Sequence, residues 1–85
     1  MKNLKAFVDL ENRYSAIFGA RPLDLANAAD RQKIANKIDS QLSPENLSCD
    51  GEISQAEANR RYRNLCRCAE ELLALDPAVK FYEYC

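Results

Sequence analysis

Leu42-Ser43-Pro44-Glu45-Asn46-Leu47-Ser48-Cys49-Asp50-Gly51-Glu52-Ile53-Ser54 divides this chain in two. On both sides of it apolar residues recur at three- and four-residue steps, the period of a helix packed on one face. Within it that period is lost. Pro44 disfavours helical geometry at Ser43, so the upstream helix ends there. Gly51 supplies a turn. Ser54 and Glu57 then form S-x-x-E, a capping box in which each side chain can accept from the other's backbone N–H. Ile53 and Ala58 add a weak hydrophobic staple across that cap. The stretch reads as a polar connection that stops one helix and aims the next.

Downstream, Ala58, Tyr62, Leu65, Ala69 and Leu72 mark one face of a long helix that continues to Leu73 and stops before Pro77. Tyr62 is expected in the core. Upstream, a helix is predicted from near Asn27, which can cap it, to Leu42. Ile34, Ile38 and Leu42 lie four apart with Ala35 beside them, and Asp30 suits the positive end of the helix dipole. Arg31, Lys33 and Lys37 fall off that stripe and are expected in solvent or against a partner. A first helix is predicted over roughly Leu4 to Phe18 from Leu4, Phe7, Leu10, Tyr14 and Ile17 or Phe18, with Gly19 as its stop and Pro22 preventing continuation. The aromatic end, Ala78 to Cys85, is expected to dock on the bundle or on a second copy. The fold class is therefore all-α: one compact three-helix domain over residues 1–85, with a short N-terminal and a long C-terminal helix, oligomeric because so short a chain gains from covering its apolar faces.

Twelve basic and thirteen acidic side chains leave a net charge of -1. Such a balance gives no global field for a nucleic-acid polymer, although a small anion needs only local positive charge. Histidine is absent, which removes the commonest general acid–base and metal ligand. Cys49, Cys66, Cys68 and Cys85 fit neither a zinc site nor a disulfide framework: Cys66 and Cys68 are two apart in a helix and point in different directions. They read as small hydrophobes. With no signal peptide and no membrane-length apolar run, the expected setting is the cytosol, away from any membrane.

The binding candidates lie on the helices. Arg60, Arg63 and Arg67 line one side of the third helix, with Arg61 rotated onward. Repelling guanidinium groups need compensation, either from Glu57, Glu70 and Glu71 or from an external anion held by their forked donors. The solvated-face reading comes first. Tyr14 sits on the apolar stripe, so a half-buried aromatic is the default; the alternative is a ring for stacking a nucleobase, with Arg31 or Lys33 on the phosphate. Residues 46–57 also follow an EF-hand calcium loop over Asp50-Gly51-Glu52-Ile53-Ser54-Gln55-Ala56-Glu57, but Asn46 and Ser48 are neutral where acids usually sit. Without a His, a G-x-S-x-G elbow or a phosphate-cradling glycine loop, nothing supports catalysis, and no cofactor or metal is expected.

The segment Ser43-Pro44-Glu45-Asn46-Leu47-Ser48-Cys49-Asp50-Gly51-Glu52-Ile53, the basic helix after it and its ending Leu73-Ala74-Leu75-Asp76-Pro77 are similar to a pattern of small bacteriophage proteins. Chain length, a first helix bearing a tyrosine, a basic second helix and a long arginine-bearing third resemble the phage anti-CBASS sponge family. That resemblance implies hexamer-like oligomers in the bacterial host cytoplasm that sequester a cyclic di- or trinucleotide messenger without cutting it. It places the base-stacking ring at Tyr14, the phosphate contact at Lys33 or Arg31, and a second anion site at Arg67 with Arg63 and Arg60. Two other readings stand beside it: a protein–protein inhibitor docking on a host enzyme through the third helix or the aromatic tail, and a calcium-binding helical module.

Overall fold

The computed structural model describes residues 2–43 and 55–84. Three helices are present among them, α1 (Lys2–Ile17), α2 (Ala28–Leu42) and α3 (Gln55–Leu75), and no strand. The ends of α1 and α2 that the sequence marks are closed by the chemistry expected of them. After α1, Gly19 takes φ 75°, and the N–H groups of Gly19 and Ala20 donate to the carbonyls of Ala16 and Ser15. This is a Schellman closure, and its left-handed position suits glycine. Asn27 caps α2 by accepting from the N–H groups of Ala29 and Asp30 at 2.9 and 3.2 Å. Ser43 leaves helical geometry with ψ 145°, as a residue before proline should. The whole connection 44–54, Ile53 and Ser54 included, lies outside the described residues, so the capping box and staple do too.

The helices meet along one seam. Leu4, Phe7 and Val8 of α1, Ile34, Ala35, Ile38 and Leu42 of α2, and Leu65, Cys68, Ala69 and Leu72 of α3 are buried together with Val79 of the tail. Burying each large member stabilises the fold by roughly 1.5–3 kcal/mol relative to leaving it in water. Both α1 and α2 run antiparallel to α3. At one end of α1 the Leu4 N–H donates to Glu71 Oε1 at 3.1 Å, and the Cys68 thiol to the Asn3 carbonyl at 3.4 Å. Arg31, near the start of α2, donates from Nε to Asp76 Oδ2 at 2.8 Å, just past the end of α3.

Buried and half-buried polar side chains fasten the segments outside the helices. Asn12 grips Leu23 by both its backbone N–H and its carbonyl, turning residues 20–27 back along α1. Asp30 is buried and accepts from Arg21 Nη2 at 2.7 Å and the Asp24 N–H at 3.0 Å. Those donors hold its carboxyl below the usual carboxylate range, the Arg21 bond foremost. The tail does dock on its own bundle. Gln32 pairs with both backbone groups of Lys80, and Asp39 receives the N–H groups of Tyr82, Glu83 and Tyr84 at 2.6, 2.9 and 3.3 Å.

Three expectations are corrected here. The α1 stripe does not bury as a unit: Leu4 and Phe7 are inside, but Leu10, Tyr14, Ile17 and Phe18 lie largely in solvent. Tyr62 is half exposed instead of core. Helical spacing says which residues share a face; it does not say how far along the helix a neighbour follows. Arg31 also leaves solvent, bonded to Asp76 and to the Leu25 carbonyl at 2.9 Å.

Candidate functional site

The arginines of α3 sort themselves by partner. Glu57 binds Arg60 through Oε2, and Arg61 Nε lies 3.5 Å from its Oε1. The Arg60 guanidinium beside it holds the Glu57 carboxyl below its ordinary range. This matters for the calcium reading, because Glu57 would supply the two-oxygen ligand that closes an EF-hand loop. Both of its oxygens face arginines; the remaining ligand positions, 46–54, lie outside the described residues.

Arg63 and Arg67 differ. They are exposed, and among the described residues no carboxylate pairs with either. The internal compensation expected for Arg67 is not made: Glu71 accepts from Leu4, and Glu70 accepts from the Tyr84 hydroxyl at 3.4 Å. At about 100° per residue, Arg60, Arg63 and Arg67 fall on the side of α3 turned away from its buried Leu65, Ala69 and Leu72. The result is a cationic ridge in high dielectric, able to meet an anion but weakened by salt.

The other residues singled out by sequence are not gathered around that ridge. Tyr14 belongs to α1, where its ring lies 5.5 Å from that of Phe18 at a 60° tilt. Lys33 is exposed on α2, and Arg31 is engaged by Asp76. Sequence reasoning passed over the cleft between α1 and α3, about 500 Å³, with Ala6, Phe7, Leu10 and Leu65 as its apolar wall and Asn3, Asn64 and Arg61 at its rim. Its only signal in sequence is a run of small and polar residues, Asn3, Ala6 and Asn64, where two helices approach.

Cys66 and Cys68 behave as hydrophobes. Burial, reinforced by the nearby Glu71 charge, pushes the Cys68 thiol up to about 11, so it stays protonated and unreactive near neutrality. Cys66 is only half buried, packed against the core. At pH 8 a thiolate-selective alkylating reagent should therefore leave Cys68 unmodified in the folded chain, and mass mapping of the products reads this. Denaturant should bring Cys68 to the rate of an ordinary thiol; equal labelling without denaturant would contradict its burial. Because the unfolded thiol ionises first, Cys68 removes stability as pH climbs from about 9 toward 11. Among the described residues no cluster of Cys, Asp and Glu could hold a metal ion, and no helix is long and apolar enough to cross a membrane.

No family model matches the chain, and no curated protein or solved structure is significantly similar to it.

Proposed function

We propose that this chain works by binding, without chemistry of its own, and that its ligand is a small anionic nucleotide of the cyclic di- or trinucleotide class, withheld intact from an effector. The observation that carries the reading is the contrast within its arginines. Arg21, Arg31, Arg60 and Arg61 each face a carboxylate, whereas on α3 the guanidinium groups of Arg63 and Arg67 stand exposed one turn apart with no carboxylate paired to either among the described residues. A forked donor pair at that spacing suits two phosphates of a compact ligand, and bidentate contacts to phosphate are among the stronger hydrogen bonds a surface can offer. A near-neutral chain with such a ridge favours a small anion over a long polymer.

Calorimetry against a panel of cyclic di- and trinucleotides tests this. Binding is expected tighter than ~100 μM, weakening with salt, and each of Arg63→Ala and Arg67→Ala should lower affinity about tenfold, the scale of one lost charge-assisted contact. Both side chains are exposed, so the melting temperature should not move. A panel with no binder, or variants that bind as well as the parent, returns the ridge to a solvated face. The inhibitor reading retains one observation, the Tyr82 ring, which stays 82% exposed although the tail carrying it is fastened to α2. Copurification of a host enzyme lost on Tyr82→Ala would favour it.

A further inference from the structure

The second half of α1 and the turn that closes it present Leu10, Tyr14, Ile17 and Phe18 to solvent at 65, 63, 76 and 73% exposure. Four large apolar side chains gathered at one end of one helix are not scattered surface hydrophobes. The first half of the same helix borders the cleft whose wall is Ala6, Phe7, Leu10 and Leu65. One face of α1 thus carries a protruding apolar ridge at its C-terminal end and an apolar recess at its N-terminal end.

We propose that α1 pairs antiparallel with α1 of a second copy of this chain, ridge into recess, about a two-fold axis at the level of Asn12. In that register Tyr14 of each copy meets Leu10 of the other, and Ile17 and Phe18 reach the recess beside Phe7 and Ala6. The arrangement is isologous: every contact is made twice, and the assembly closes at two. Three features of the molecule select a second copy as the occupant. The ridge and the recess sit at opposite ends of one helix face, which an antiparallel pair of identical helices satisfies without further adjustment. Asp9 and Arg13, exposed and one turn apart along one edge of the ridge, are brought against their opposites, because like edges meet in an antiparallel pair. The area also suffices: four side chains of roughly 150–250 Å² at this exposure leave on the order of 500 Å² per copy, so two copies cover about 1,000 Å², where specific interfaces begin. The pairing does not depend on the ligand reading, since Arg63 and Arg67 lie on α3 outside the ridge and the recess.

Light scattering after size exclusion, with sedimentation over a concentration series, tests this on the full chain. The expected parent species is a dimer of the 9.6 kDa chain at ~100 μM, a concentration at which even a modest interface is occupied. Ile17→Asp should make it monomeric with an unchanged circular dichroism spectrum and melting behaviour at equal monomer content, because that side chain contacts little in its own copy. Asp9→Arg and Arg13→Asp should each weaken the dimer at least several-fold, and the double exchange should restore it. A parent that is monomeric at that concentration, or an oligomer indifferent to Ile17→Asp, overturns the pairing. Burial of the ridge only against a different protein would overturn it as well. Cyclic-nucleotide calorimetry on Ile17→Asp separates the two proposals: a ligand bound equally by monomer and dimer leaves the α3 ridge standing alone.

Discussion

Asp39→Ala should lower the stability of the domain by about 3 kcal/mol and release residues 80–84 from it, since hydrogen bonds to a charged group contribute roughly 1.5–3 kcal/mol each and do not sum in full. The carboxylate is 6% exposed and accepts three successive backbone N–H groups, from Tyr82, Glu83 and Tyr84. Taken away, it leaves those donors to recover water as the tail lifts, which limits the loss. The tail, however, also carries Val79, Phe81 and Tyr84 against the core, and part of that packing goes with it. A domain of this length holds roughly 5–10 kcal/mol in total, so a third or more is at stake. Thermal and urea melts would register this as a fall in melting temperature on the order of 15 °C. Hydrogen exchange at the amides of 82–84 supplies the second reading, expected to become fast while the α3 amides stay protected. Asp39→Asn, which keeps one acceptor oxygen and places donors beside N–H groups, should fall between. If Asp39→Ala melts with the parent and the tail amides remain slow, packing alone holds the tail.

That carboxylate also shows where reading the sequence stops. The three helices were legible because their signals are local: apolar spacing, Gly19 after α1, Asn27 before α2, Pro44 after it, Pro77 after α3. The aromatic end was expected to dock, and it does. Asp39 and Asp30, by contrast, look in sequence like any acid on a helix. Their burial depends on backbone N–H groups that arrive from other segments, in the case of Asp39 more than forty residues away. Arg31 misled for the same reason, since Asp76 lies forty-five residues on. Tyr14 and Tyr62 were assigned inward by period alone. α1 carries its apolar stripe past the end of the shared core, and no local signal records where a core ends. The cationic ridge was legible as spacing; which two of its arginines lack a carboxylate among the described residues was not.

Leu72→Ala is expected to be the most damaging single truncation in α3, costing about 3–5 kcal/mol by lost burial plus the cavity it leaves. Leu72 is fully buried between α1 and α2, in the same cluster as Leu4, Ile34 and Ile38. With so small a core there is little neighbouring structure to collapse into the space, and the variant should be partly unfolded at room temperature. Leu72→Met, which nearly conserves volume, should cost less than about 1.5 kcal/mol. Leu10→Ala deletes the same atoms from a side chain 65% exposed, so within one copy it should cost well under 1 kcal/mol, as surface truncations do. Urea midpoints, compared at concentrations where the chain is monomeric, decide it: equal losses at Leu10 and Leu72 would place the core on the wrong face of these helices. The difference also governs how the binding tests are read. Loss of nucleotide binding in Leu72→Ala would report only an unfolded chain. The same loss in Arg67→Ala, at an exposed position the fold does not use, would report the site.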